Sequence, residues 1–152
     1  MKRIILLCLI ASAIAPVFAQ KITTDKVPVL VYRAFKSKFP ASNQESWAKE
    51  GKNVYEVDFF NEKKKQSATY DSIGTWLATE TEIPYNQLPK AVSAAFNKQF
   101  GGFMVQETTQ VESATKGMLY ELIVNKGTEG YELQFSAKGD LLEKEVAKPE
   151  GD

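Results

Sequence analysis

The sequence predicts an α+β protein: a tandem repeat in which each unit is a helix followed by a four-stranded antiparallel meander. Both helices are expected on one face of the sheet or sheets. Three observations carry this prediction. Two apolar stripes recur at helical spacing, Val27, Leu30, Val31, Ala34, Phe35, Phe39 and Leu88, Ala91, Val92, Ala95, Phe96, Phe100. Short runs of alternating polarity follow each stripe, as in half-buried antiparallel strands. The runs also repeat: Tyr55-Glu56-Val57-Asp58-Phe59 returns 65 residues later as Tyr120-Glu121-Leu122-Ile123-Val124.

Taken in order, the chain opens with Lys2 and Arg3, an apolar run from Ile4 to Ala15, and the small-residue pattern Val17-Phe18-Ala19. Residues 1–19 read as a secretory signal peptide cleaved after Ala19, because the run is too short to span a bilayer. The lone cysteine, Cys8, lies inside that run behind Leu6-Leu7, where a lipid-attachment signal needs a small residue. The exported chain is therefore expected to be periplasmic or secreted, with no disulfide. Without Lys2 and Arg3, the 19 basic residues become 17 against 19 acidic ones, a net charge of −2. That balance offers no grip on nucleic acid or anionic lipid, and no stable membrane insertion is expected after cleavage.

Gln20 to Thr24 reads as a loose polar lead. Asp25 is the candidate cap of a first helix of about 13 residues, with Pro28 in its first turn and Pro40 as its stop. Trp47 belongs to a first strand, as a core or edge packing residue, before the turn Gly51-Lys52-Asn53. Tyr55 to Phe60 forms the second strand. Lys63-Lys64-Lys65 is read as a solvated hairpin tip. Gln66 to Tyr70 and Thr75 to Thr81 follow, joined by Asp71-Ser72-Ile73-Gly74, where Gly74 supplies a positive φ. Ile83-Pro84-Tyr85 closes a first unit over 20–84.

A second unit spans 85–147. Asn86 replaces Asp25 as cap, and Gly101-Gly102 ends the helix. The strands are expected at Val105 to Glu112, Met118 to Asn125, Gly130 to Ser136 and Leu141 to Val146. Helices repeat at an offset of 61 and strands at 65, so about four extra residues separate them in this unit. Residues 148–152 read as a flexible tail.

Alternation assigns the faces. Tyr55, Val57, Phe59, Tyr70, Leu77, Tyr120, Leu122, Val124, Leu133, Phe135 and Leu142 are expected under the helices. Glu56, Asp58, Phe60, Thr69, Trp76, Glu121, Ile123, Glu132, Gln134 and Leu141 are expected on the open face.

Most chemistry is excluded by composition. The chain has no histidine, which removes His-activated nucleophiles and the commonest transition-metal ligand. The exported chain has no thiol. No Gly-rich phosphate loop is present. Asp71-Ser72-Ile73-Gly74 lacks the alternating oxygens of a calcium loop, so no metal or other cofactor is called. Glu56 and Asp58 share a strand face, and a carboxylate pair performs glycosidic acid/base work at suitable separation; keeping an exposed sheet soluble is the simpler role. The residues that break the polar pattern of that face are Trp76, Phe60, Ile123 and Leu141. Ringed by Glu56, Asp58, Glu121 and Glu132, they have the composition of a binding hot spot, and these eight are the candidate partner-binding residues.

The ordered motifs resemble the PepSY-like, beta-lactamase-inhibitor-like family. They comprise the helix ending Phe39-Pro40, Trp47 ahead of the Tyr55 to Phe59 strand, and the aromatic-Asp-x-x-Gly-x-Trp-Leu turn from Tyr70 to Leu77. Ile83-Pro84 leading to Leu88-Pro89-Lys90-Ala91-Val92, the second Tyr-Glu-Leu and Gly139-Asp140-Leu141-Leu142 complete the set. The resemblance implies small exported bacterial proteins with an architecture similar to the beta-lactamase inhibitory protein, which grips an enzyme with a concave sheet. It implies no catalytic residues, and the absence of cysteines after the expected cleavage sets this chain apart from that inhibitor. The expected function is non-enzymatic binding, or inhibition, of another envelope or extracellular protein. The alternatives are an apolar-ligand carrier using a groove between the units, and a hydrolase using Glu56 or Glu121.

Overall fold

In the computed structural model, which describes residues 20–147, nine strands form one antiparallel sheet in chain order, each pairing with the next. The strands are β1 (Gln20–Ile22), β2 (Asn43–Glu50), β3 (Val54–Asn61), β4 (Lys64–Asp71), β5 (Trp76–Glu82), β6 (Met104–Ser113), β7 (Gly117–Lys126), β8 (Glu129–Ser136) and β9 (Leu141–Val146). Helix α1 (Val29–Lys38) precedes β2, and α2 (Lys90–Phe100) precedes β6. The expected signal peptide at 1–19 and the expected tail at 148–152 lie outside the described residues. Among the described residues no helix is long and apolar enough to cross a membrane.

The N-terminal lead is not loose: β1 pairs with β2, setting Ile22 opposite Trp47. Both helices start later than their stripes suggested. Asp25 sits in a 3₁₀ turn, Thr24–Lys26, and Asn86 in its counterpart, Tyr85–Gln87. Val27 and Leu88 are then extended, and Pro28 and Pro89 occupy the N-cap positions. The cause is steric, since a residue before proline is disfavoured in the α region. The helices therefore run for 10 and 11 residues, the first shorter than the stretch between Asp25 and Pro40 suggested. The basic run is also only partly a tip. Glu62 and Lys63, both at positive φ, make the turn, and Lys64 and Lys65 are already in β4.

The register fixes the faces. Cross-strand partners in an antiparallel sheet share a face, and the row Val57–Ala68–Thr79–Glu112–Met118 runs unbroken from β3 to β7. Val57 packs under α1 with Phe35, Phe39, Trp47, Phe59 and Tyr70. Leu122 and Val124, on the face of Met118, pack under α2 with Val92, Phe96, Leu133 and Phe135. Both helices thus cover the same face, over two separate apolar clusters. Trp47 is core, edge-on to Phe35 at 5.3 Å between ring centroids.

Two β-bulges change the expected faces. One falls between Thr69 and Tyr70 and the other between Gln134 and Phe135, so Tyr70 pairs with Trp76 and Phe135 with Leu141. A bulge puts two residues opposite one, which reverses the alternation beyond it. Trp76 and Leu141 consequently move to the helix side, each packed against its core cluster. Leu77 and Leu142, expected in the core, leave it; Leu142 is 52% exposed. Between bulge and strand lie matching turns. Asp71 accepts from the backbone N–H of Ile73 and Thr75 in the first, and Ser136 accepts from those of Lys138 and Asp140 in the second.

Candidate functional site

The open face is the side of the sheet opposite α1 and α2. The register puts six of the eight candidate residues there: Glu56, Asp58, Phe60, Glu121, Ile123 and Glu132. They do not form one patch. Glu56, Asp58 and Phe60 lie on β3, and the others on β7 and β8, with three strands between β3 and β7. At roughly 4.8 Å per strand spacing the two groups are about 19 Å apart.

Trp76 and Leu141 are not on this face, for the reason just given. The Trp76 indole N–H donates to Thr79 Oγ1 at 2.9 Å, and Lys38 Nζ lies 4.0 Å from the ring centroid. This is a cation–π contact between α1 and β5, which ties the helix to its sheet. Trp76→Ala is therefore expected to lower stability by about 2 kcal/mol, a half-buried share of the usual tryptophan deletion. It should leave binding at the open face unchanged, as a urea melt and a binding titration on the same variant would reveal.

In the first half, Glu56 and Thr69 face each other across β3 and β4. Both are nearly sealed from solvent, at 6% and 2% exposure, although among the described residues no helix packs on this side. Ser67 donates to Glu56 Oε1 at 3.0 Å. Burial pushes the Glu56 carboxyl up to about 9, helped by a hydrogen bond with Glu50 and by repulsion from Glu50 and Asp58, and opposed only by Ser67. Asp58 Oδ1 and Thr69 Oγ1 are buried with no hydrogen-bond partner.

In the second half, Glu121 and Gln134 hold the equivalent rung. Here Gln134 Nε2 donates to Glu121 Oε1 at 2.8 Å. Burial raises the Glu121 carboxyl, and the Gln134 bond works against that rise. The register adds Glu80, Glu143 and Glu145 to the same face. Lys21 and Lys65 share it at the β1–β4 end.

The two halves share one continuous sheet, since β5 and β6 pair directly from Ala78–Ser113 to Glu82–Thr109. A recess of about 730 Å³ occurs at the β7–β8 hairpin end, where Gln106, Ile123, Asn125, Tyr131 and Val146 are among its lining residues. Among the described residues no cluster of His, Cys, Asp or Glu has the makings of a metal site.

Comparison with known proteins bears on the family and the fold. The family model described as "Putative beta-lactamase-inhibitor-like, PepSY-like" matches residues 53–143. Among solved structures, one described as a BLIP-like protein from Bacteroides fragilis is 25% identical, with a TM-score of 0.71 over 82% of this chain and 90% of its own. A protein described as periplasmic, "putative" in its own description, from Bacteroides eggerthii is 23% identical, with a TM-score of 0.74 over 79% of this chain and 88% of its own. A DUF2874 family protein from Bacteroides uniformis is 22% identical, with a TM-score of 0.74 over 78% and 88%. At such identities these last two likenesses show the fold alone. No curated protein matches the chain.

Proposed function

The chain belongs to the PepSY-like, beta-lactamase-inhibitor-like family, and from that premise we propose that it is an exported, non-enzymatic protein-binding module. The partner is another envelope or extracellular protein, held on the open face of the sheet, and inhibition of that partner is the outcome the family description favours. One observation carries the reading. Both helices occupy one side of a nine-stranded sheet, and among the described residues no helix packs on the other. A rigid sheet presents its side chains with little ordering cost on association. Its carboxyl-rich face favours a basic partner surface through encounter rate and register. Binding would then draw on Glu56, Asp58 and Phe60 at one end and Glu121, Ile123 and Glu132 at the other, without Trp76 or Leu141. The repetition of helix and four strands gives the face two similar ends for one extended partner.

The test is capture from the native envelope, followed by comparison of two variants. Ile123→Arg changes the open face at a residue 36% exposed, and Leu30→Asp changes the outer surface of α1 at one 56% exposed. Capture of the same partner should fall at least about tenfold with Ile123→Arg and stay unchanged with Leu30→Asp. The reverse result would place the interface on the helices.

The hydrolase reading draws on a separate observation, the raised Glu56 carboxyl, because a general acid must hold its proton near neutral pH. It requires that Glu56→Gln abolish a turnover that the wild type displays. The binding reading needs no turnover at all.

A further inference from the structure

We propose that the β3–β4 rung of the open face is a receptor for one basic side chain, a lysine ammonium or arginine guanidinium, presented by the partner protein. This rests on the open face being the binding surface, and it names the chemistry that face reads at one end.

The inference comes from comparing the two equivalent rungs. In the second half, the rung is closed internally, because Gln134 donates to Glu121 across the strands. In the first half, threonine stands where Gln134 stands, and its hydroxyl reaches nothing. Thr69 is 2% exposed, and Asp58 Oδ1 beside it is buried without a donor. Native proteins rarely leave buried polar atoms unpaired, since each forfeits its hydration without a replacement bond. Here the unpaired atoms are oxygens grouped around two carboxyls, Glu56 and Asp58, with a third, Glu50, close enough to raise the first. What the group lacks is positive charge: three carboxyls meet here, and none of the groups named around Glu56 is basic.

A basic side chain supplies that charge together with several donors for the unpaired oxygens. An ammonium brings three N–H donors and a guanidinium five. Bonds of this kind, with both partners ionised, are roughly twice as strong as neutral ones. The fixed charges around Glu56 do not already fill the role. From its own strand and from β2 it faces Asp58 and Glu50, both acidic, and from β4 only Ser67 and Thr69. Asp71 and Glu80 stand farther out. Of the lysines on this end of the face, Lys21 is two strands away beside Ala48, and Lys65 pairs with Phe60 at the far end of the hairpin. When the cation is seated, Glu56 gives up its proton to solvent and becomes the counter-ion.

The experiment selects peptides from a random displayed library on the exported chain and titrates the enriched ones by calorimetry. Enriched peptides should carry a required lysine or arginine. Changing it to norleucine or citrulline should weaken binding about tenfold or more, as for other close charge pairs. Asp58→Asn should weaken the same peptides by a similar factor, and combining the two changes should add little, the signature of a direct contact. Titration in two buffers of different ionisation enthalpy should show protons released by the wild type and none by Glu56→Gln. Both substitutions are isosteric, and circular dichroism checks that the fold is intact. Peptides indifferent to neutralising their basic residue, or a selection yielding none that depends on Asp58, would overturn the proposal. If Ile123→Arg abolishes binding while Asp58→Asn does not, this receptor falls and the open-face reading stands. If Leu30→Asp alone abolishes it, both fall.

Discussion

Gly139→Ala is expected to destabilise the protein by about 2–5 kcal/mol, and Gly74→Ala by a similar amount. Two terms add. Gly139 has φ of +87° and Gly74 of +88°, where a side chain costs roughly 1–2 kcal/mol. A Cβ at Gly139 would also lie 2.5 Å from the carbonyl oxygen of Ala91 on α2, and one at Gly74 would lie 2.7 Å from that of Leu30 on α1. Backbone cannot swing aside as a side chain does, so the helix must shift, at a further cost of about 1–3 kcal/mol. Gly117 and Gly127 provide the control. Their φ values are +73° and +60°, but a Cβ there would meet nothing within 4 Å. Alanine at those two should cost only the conformational part. Urea unfolding of the four variants separates the terms, and equal losses at all four positions would refute helix docking as the reason for the two turn glycines.

Stability is expected to fall as pH rises from about 5 to 9, with Glu56 as a principal cause. Its carboxyl titrates near 9 in the folded chain against an ordinary value of 4.5, because burial and its acidic neighbours disfavour the charge. The folded state therefore keeps a proton that the unfolded chain releases in this window. The stabilising contribution is complete below about 4.5 and is lost as pH approaches 9. The slope from one such group is at most about 1.4 kcal/mol per pH unit. Glu121 is raised in the same direction and adds to the trend. Glu56→Gln, which cannot ionise, should flatten the profile and be more stable than the wild type at pH 8. Thermal unfolding at several pH values decides it. A variant slope equal to that of the wild type would remove Glu56 from the explanation.

The α+β class, the two helices and the four strands after each were legible because apolar period and turn residues agreed at every step; the β5–β6 pairing that joins them into one sheet was not. The two register errors had a common source. Trp76-Leu77 and Leu141-Leu142 are each a pair of large apolar residues, so polarity could not say which member faced inward. The choice was made by the bulges at Tyr70 and Phe135, set by turns that press against the helices. The strand β1 was invisible because Gln20-Lys21-Ile22 is too short and too polar to show alternation. At the candidate site, the sequence showed that Glu56 and Asp58 share a face. It did not show the difference between the halves, because the roles of Thr69 and Gln134 depend on which atoms meet across the rung.

The sheet's strict chain order, from β1 to β9, also has a consequence for assembly. Every strand after β1 finds a partner in the strand just before it, and the longest interruption is the passage through α2 between Glu82 and Met104. Such a topology holds down the sequence separation of its pairings, and rates of folding rise as that separation falls. A chain delivered from its N-terminal end can add strands as they arrive, and α1 can close over its own apolar cluster before the second half is complete.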